Sequence, residues 1–389
     1  MTTSPTPGRP RCLVIAPVSE SVRYIIAPEL ATLRREVDFR ILCSDGDDVA
    51  ALRLEGWDVV TVRIERKLTP WQDLATLLRL IREVRRYRPQ ILHTYMPKGG
   101  LLGQLAGMWA GIPLRLHSCR GLLNYEEMPA WQGALLRLTD RVTFGLATRV
   151  LFVSRADRAA VVEASVVAPS KAVWTGNGID LDRFRAPGGA DEMRRETRRR
   201  LGFEDDQQVL LTVGRFVADK GYREIAEAAS MLRGTHPRAR WLWLAPAVTG
   251  EGGVLPLDLP VSMGVDDVVT VLDRKQDPLP LYLAADILVH ASYREGIPRA
   301  VMEGSACGLP IVATDIPGCR EILDGGGNSV LVASRDANAL AAGVAQLLDD
   351  PVRRAAMGSA SRSVAAERCD VRQVVVRVRG EYGLVEMRQ

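Results

Sequence analysis

The sequence is poor in aromatic residues, lysine and histidine, and it lacks any long apolar run. Aromatics make up 5% of the 389 residues, so a folded core must come from Leu, Val, Ile and Ala. Five lysines stand against 46 arginines, the bias a GC-rich genome gives. Cys12, Cys43, Cys119, Cys307, Cys319 and Cys369 show no paired spacing. That speaks against a disulfide framework or a zinc site and makes a reduced, cytoplasmic compartment the expectation. The acidic pairs Asp47-Asp48, Asp205-Asp206, Asp266-Asp267 and Asp349-Asp350 read as turns or helix ends, so no metal site is expected. No stretch reaches the ~18 uninterrupted apolar residues of a membrane span. Leu101 to Ile112 comes nearest, but Gln104, Gly103, Gly107 and Gly111 interrupt it. Glycines four apart there predict a tightly packed internal helix. The run Cys12–Ala16 has the length of a strand, too short for a signal sequence.

Hydrophobic residues make up 47% and charged residues 25%, as in a soluble globular chain. The length suggests two domains. Net charge is +4, unevenly spread: residues 1–187 hold 26 Lys+Arg against 19 Asp+Glu, the remainder 25 against 28. A basic first half suits an anionic partner such as a membrane surface or a phosphorylated acceptor, and equally a well-solvated surface. Nucleic-acid binding would need a basic stripe interleaved with aromatics, which is missing.

Short β-branched runs alternate with longer amphipathic ones. Strands are predicted at Cys12–Ala16, Asp38–Cys43, Asp58–Val62, Gln90–His93 and Val150–Ser154, and helices at Trp71–Tyr87 and Trp131–Ala147. Such alternation builds an α/β, doubly wound parallel sheet. Pro187-Gly188-Gly189 then reads as a hinge, followed by a solvated charged helix, DEMRRETRRRLG. A second series of strands follows at Val209–Val213, Arg240–Ala245, Val268–Leu272, Asp286–His290 and Pro310–Thr314. The expected organisation is a disordered tail over 1–10, a first domain over 11–186, a second over 187–369, and a C-terminal helix over 370–389 returning to the first. Ligands of such sheets bind at the carboxyl ends of strands, so residues just after strands carry the functional signal.

The strand ending at His290 leads into SYREGIPRAVMEGSACGLPIVATDIPGCREI. Glu295 lies in the loop, Gly296 permits close backbone approach, and Pro298 suits the first turn of a helix predicted over Ile297–Ala306. N–H groups of Gly296, Ile297 and Arg299 at that helix start would suit an anion or hydroxyl. Glu303, eight residues after Glu295, falls one to two turns inside the helix. Two carboxylates so spaced can grip two polyols of one ligand, since vicinal hydroxyls donate in pairs. Upstream, Gly214-Arg215-Phe216 and Asp219-Lys220-Gly221 close the first strand of the second domain, and two cations at a helix start can neutralise a diphosphate. In the first domain, HTYMPKGGLLG follows a strand: His93 would line the site and Lys98 would meet a phosphate. Arg120-Gly121-Leu122 and Asn177-Gly178-Ile179-Asp180 are turn segments. Arg274 follows another strand and would lie against a base.

Together Glu295-x7-Glu303, GLPIVATD and GCREI resemble the signature of the retaining family 4 glycosyltransferases, and the likeness extends over nearly the whole chain, strongest from about Leu210 to Val332. The resemblance implies the GT-B fold, two Rossmann-like domains facing a central cleft, and no cofactor or metal. It implies a nucleotide-diphosphate sugar donor, a UDP-sugar above all. Glu295 would then sit beside the donor sugar and Glu303 on the ribose. Gly296, Ile297, Pro298 and Arg299 would hold hexose hydroxyls and the diphosphate, with Arg215, Lys220 and Gly214 beside it. The PKGGLLG and RGL elements resemble the subgroup that builds lipid-linked and surface glycans, which makes His93, Lys98, Arg120 and Asn177 acceptor-side residues. The implied acceptor is a lipid-linked glycan or phosphoglycolipid, with peripheral attachment at the inner face of the membrane. Alternatives are a natural-product glycosyltransferase and a sugar-nucleotide epimerase on the same fold. Pro17–Ser21 in place of a glycine-rich loop, Ala245-Pro246-Ala247, and Ala291 where proline is common depart from the family pattern.

Overall fold

The computed structural model describes residues 8–65, 69–122, 129–185, 188–247, 252–273 and 276–384. The chain forms two compact units, one of residues 1–177 and 371–389, the other of 178–370.

The first unit holds a seven-stranded sheet of order β3-β2-β1-β4-β5-β6-β7. Its strands are β1 (Arg11–Ile15), β2 (Asp38–Cys43), β3 (Asp58–Thr61), β4 (Ile91–Tyr95), β5 (Leu114–Cys119), β6 (Arg149–Phe152) and β7 (Ala172–Trp174). Every pairing is parallel; Cys12, for example, lies between Phe39 and Ile91. The expected strands are all present within a few residues. Two more, β5 and β7, had no clear apolar signal: β5 carries Arg115, His117 and Ser118, and β7 has three residues. Helices Pro70–Tyr87, Pro97–Trp109 and Ala130–Leu146 pack side by side. The middle helix is the glycine-striped segment, and it lies flat on the sheet. A Cβ on Gly103 would come within 2.6 Å of Thr94, and one on Gly107 within 2.4 Å of Leu92. Gln104 is fully buried; its amide nitrogen donates to the Thr94 hydroxyl (2.8 Å) and the Leu116 carbonyl (2.9 Å), while its amide oxygen has no hydrogen-bond partner.

The second unit holds a six-stranded parallel sheet of order β10-β9-β8-β11-β12-β13. These are β8 (Gln208–Val213), β9 (Ala239–Leu244), β10 (Val269–Leu272), β11 (Ile287–His290), β12 (Ile311–Thr314) and β13 (Ser329–Val332). Only β13, four residues after a glycine run, was not anticipated. Both units are thus doubly wound, Rossmann-like domains of the α/β class. The C-terminal helix Val371–Glu381 returns to the first unit, where Val374, Val375, Val378 and Tyr382 join the core.

Three expectations are corrected. The division falls at 177/178, not at 186/187. The residues between are anchored in the second unit by Leu181 and Phe184, both buried, with Phe184 edge-on to Tyr282. Pro187 lies outside the described residues, and Gly189 serves as the cap of the next helix. The tail is not loose through residue 10: the Pro10 carbonyl accepts from the Asp38 N–H at 3.0 Å, while residues 1–7 lie outside the described range. The charged helix, Ala190–Leu201, is not solvated all round. Arg198 is buried, donating to the Ala284 carbonyl (2.9 Å) and pairing with Asp286 at 2.5 Å. Burial lowers its pKa, opposed by Asp286. Asp286 also holds Arg194 (2.7 Å) and the Val209 N–H (2.7 Å).

Removing one partner of a buried pair leaves an uncompensated charge. Asp286→Ala is expected to lower the unfolding free energy of the second unit by about 3–5 kcal/mol. Arg194→Ala, at the more exposed end, should cost under about 1 kcal/mol. Urea denaturation followed by tryptophan fluorescence measures both.

Candidate active site

In the second sheet strand order reverses between β8 and β11, and the loops leaving their carboxyl ends meet there. After β8 the chain passes Gly214 and Arg215 and makes a tight turn over Ala218–Lys220. Gly221 then adopts φ +72°, and a Cβ on it would lie 2.2 Å from the Ala291 carbonyl oxygen. Only glycine meets both conditions. The Tyr293 N–H donates to the Asp219 carbonyl at 2.9 Å, tying the loops together. On the other side, Gly318 opens helix Pro317–Leu323 against the same loop: its Cβ would lie 2.3 Å from the Gly296 oxygen. The Thr314 hydroxyl donates to the Ser292 carbonyl at 2.5 Å. The 291–296 loop is therefore clamped from both sides.

This clamp sets Lys220 against Glu295. The ammonium lies 2.5 Å from Glu295 Oε1, and the Ser292 hydroxyl donates to the same oxygen at 3.2 Å. Burial by itself would raise the Glu295 pKa, but the Lys220 charge and these hydrogen bonds outweigh it, so the carboxyl stays below its ordinary value. His290, the last residue of β11, sits with Nε2 3.7 Å from the same oxygen. Burial pushes its pKa down to about 4, which keeps it neutral near pH 7, and Nε2 has no hydrogen-bond partner. Arg215 is exposed at the end of β8. The Gly214 carbonyl beside it accepts from the Tyr222 hydroxyl at 2.8 Å.

The helix after the loop runs Arg299–Ala306, two residues shorter at its start than expected. Pro298 is its extended N-cap (φ −73°, ψ 116°) rather than a first-turn residue. The helix-start N–H groups therefore begin at Arg299 and not at Ile297. Glu303 is buried, and both of its oxygens are engaged: Oε1 by Arg299 at 3.1 Å, Oε2 by the Tyr282 hydroxyl at 3.1 Å. Tyr282 is fully buried on helix Leu279–Ala284. Tyr282, Ser292, His290 and Gly318 were not singled out from sequence. Ser292, His290 and Gly318 adjoin the motif, whereas nothing in the sequence ties Tyr282 to Glu303 twenty-one residues on. Arg274 lies outside the described residues.

In the first unit, strand order reverses between β1 and β4. His93 on β4 does not line an open site. It is fully buried, with Nδ1 2.8 Å from the Tyr382 hydroxyl and Nε2 2.8 Å from the Ser118 hydroxyl. Burial pushes its pKa down to about 3. It is a core histidine that anchors the C-terminal helix. Just beyond β4, Met96 holds φ +64° and ψ 154°, a region nearly confined to glycine. Lys98 pairs with Asp73 at 2.6 Å. Arg120 and Asn177 come together: the guanidinium donates to Asn177 Oδ1 (2.7 Å) and to Glu29 (2.7 Å).

Known proteins agree with this architecture. Residues 24–178 match the family model "Glycosyl transferase 4-like domain" and residues 193–364 match "Glycosyl transferases group 1". A D-inositol 3-phosphate glycosyltransferase of Thermobispora bispora is 29% identical over 324 residues, 78% of this chain and 73% of that protein. The UDP-Gal:alpha-D-GlcNAc-diphosphoundecaprenol alpha-1,3-galactosyltransferase of Escherichia coli is 22% identical over 290 residues, 74% of this chain and 73% of its own. Anabaena Alr3699/HepE, solved in complex with UDP and glucose, superposes with a TM-score of 0.83 at 18% identity, over 97% of this chain and all of that one.

Lys220→Met tests the electrostatics. In the native protein the stability Glu295 contributes is present above the ordinary carboxylate value of 4.5 and is lost as pH falls through its lower folded value. Without the ammonium, burial prevails, the folded pKa rises above 4.5, and the ionised carboxyl becomes destabilising as pH increases. Carboxyl ¹³C titration of Glu295 should show the upward move, and denaturation on either side of pH 4.5 the reversed slope. The two domain matches, the paired sheets and the loop clamp lead to one assignment: the chain belongs to the family 4 glycosyltransferases of GT-B fold.

Proposed function

We propose that this glycosyltransferase moves a hexose or N-acetylhexosamine from a UDP-sugar, with retained anomeric configuration, to a hydroxyl of a lipid-linked glycan or phosphoglycolipid. The observation that carries the reading is Lys220 held on Glu295 at the strand-order reversal, with Glu303 one helix segment further. Lys220 and Arg215 meet the diphosphate, and with the N–H groups at the start of the Arg299 helix they offset the charge that grows as the bond from C1 to the phosphate oxygen breaks. The acceptor oxygen forms its bond to C1 on the face the diphosphate leaves, and its proton passes to a departing phosphate oxygen. Glu295 orients the sugar and favours its cationic character. Glu303 accepts the ribose hydroxyls, with Gly296 and Ile297 along the hexose and diphosphate. These residues supply the charge the reaction needs without a metal.

The diphosphoundecaprenol-linked substrate in the name of the E. coli relative supports a lipid-linked acceptor, and a peripheral position at the inner face of the membrane belongs to the same proposal. No helix among the described residues is long and apolar enough to cross a membrane. The Thermobispora relative supports a second reading, a small phosphorylated polyol acceptor. Both acceptors carry phosphate, for which Lys98 and Arg120 would exchange their present carboxylate partners, Asp73 and Glu29.

A thermal-shift panel of UDP-, GDP-, ADP- and TDP-sugars is expected to single out one UDP-sugar, since ligand at 100 times Kd adds about 2.7 kcal/mol. Glu303→Ala should abolish that shift with the fold retained. Lys220→Ala should lower kcat by about 10²–10³. Product NMR reads the anomer, and a shift for no UDP-sugar overturns the donor assignment.

A further inference from the structure

We propose that the outer face of the helices Pro70–Tyr87 and Ala130–Leu146 is a docking surface for an anionic lipid bilayer. The proposal deepens the lipid-acceptor reading by naming a partner, but it stands on separate observations. Each helix is apolar on two sides. The inward line of the first is Thr76, Leu80, Val84 and Tyr87, all buried. Its outward line begins with Trp71, Leu74 and Leu78, of which Trp71 is 85% and Leu78 60% exposed. The Ala130–Leu146 helix repeats the arrangement: Gly133, Thr143 and Phe144 face inward, while Trp131 (65%), Leu138 (58%) and Val142 face out. Trp71, Leu74 and Leu78 recur at steps of three and four residues, and Trp131, Leu138 and Val142 at steps of seven and four, so each set makes a stripe on one side of its helix and not scattered single residues. A soluble surface rarely leaves such stripes uncovered.

Charge then selects the partner. Arg79, Arg82, Arg85 and Arg86 on the first helix and Arg137 and Arg141 on the other are all exposed. The carboxylates on these two helices and the Pro97–Trp109 helix between them are Asp73, Glu83 and Asp140, and none is exposed. Asp73 is taken up by Lys98. Among the described residues of these three helices the face is therefore apolar and cationic with no exposed acid. Both helices follow strands of one parallel sheet and pack on the same intervening helix, so they run the same way. Trp71 and Trp131, each in a first turn, stand at the same end of the layer. Tryptophan settles at the boundary between headgroups and acyl chains, and arginine lays its stem on apolar matter while its head meets lipid phosphate. A protein partner would have to supply carboxylates to meet the exposed arginines of these helices. A second copy of the same face would set arginine against arginine.

The test is sedimentation of the full chain with vesicles of phosphatidylcholine, with and without phosphatidylglycerol. Binding is expected only with phosphatidylglycerol, with a blue shift of tryptophan emission, and it should weaken at 1 M salt, where the screening length falls to about 3 Å. Trp71→Ala/Trp131→Ala should weaken binding by roughly tenfold. Arg79→Gln/Arg82→Gln/Arg86→Gln should remove the preference for phosphatidylglycerol. These residues are exposed, so the melting temperature should hold in both variants. Absence of binding at low salt, binding equal in variant and native protein, or self-association that the tryptophan variant abolishes would each overturn the proposal. The UDP-sugar thermal shift, measured on the same samples without lipid, is independent. Its loss alone indicts the donor reading, and loss of vesicle binding alone indicts the surface.

Discussion

The ammonium of Lys220 reaches Glu295 only because Gly221 lets two backbone segments pass closer than any side chain permits. Gly221 stands at positive φ with its Cα facing the Ala291 carbonyl, and Gly318 repeats the approach from the other side against Gly296. A methyl group at either position would separate the loops and draw the cation and the carboxylate apart. The site is thus fixed by backbone contact first and by charge second. The strands supply the rest: β8 and β11 are neighbours, so loops far apart in sequence leave the sheet side by side. The same logic explains why the catalytic candidates come from segments seventy-five residues apart.

Arginine does structural work that its abundance alone does not reveal. Arg198 donates to the Ala284 carbonyl, Arg194 to those of Leu283 and Ala285, and Arg354 and Arg368 to carbonyls at or beyond helix ends. In the first unit Arg115 donates to Ile112 and Leu146. The last carbonyls of a helix have no intrahelical donor, and a guanidinium can serve two at once. A lysine offers a compact charge without that fork. The composition bias is therefore put to use as a set of caps, whatever its origin. It also means that counting arginines overstates the cationic surface: those that cap or sit in ion pairs present little charge outward.

Much of the fold was legible because parallel strands buried on both faces read as short apolar runs and the helices between them as amphipathic ones. β5 escaped because its Arg115, His117 and Ser118 are polar, each satisfied by partners that sequence does not reveal. The domain boundary was misplaced because proline and glycine mark turns, and a turn is not a boundary. Leu181 and Phe184, two apolar residues in a short segment, decide which unit owns the chain. In the site, Glu295, Lys220 and Glu303 were legible because their spacing after strands carries the signal. His93 was misread for the opposite reason. A histidine on a strand is the same letter whether it faces a ligand or a tyrosine brought back by the C-terminal helix, and only the tertiary partner Tyr382, 289 residues away, decides it. Tyr282 could not be found at all, since its tie to Glu303 exists only once two helices pack.

The two carboxylates differ in how they are held, and the difference bears on what each can do. Glu303 has one donor on each oxygen, Arg299 and Tyr282, so its plane is fixed while further lone pairs remain on both atoms. A fixed plane with an acceptor on each side matches a rigid pair of vicinal hydroxyls. Glu295 gathers Lys220 and Ser292 on Oε1 alone. Its charge is sustained by a cation that, on the proposed reading, a diphosphate would also claim. Donor binding would then share the Lys220 charge between phosphate and carboxylate. As the leaving group gains negative charge its pull on Lys220 strengthens, and Glu295 is left more strongly negative beside a sugar that is turning cationic. A single ammonium between two anions thus couples departure of the diphosphate to stabilisation of the sugar, which a neutral residue at position 220 could not do.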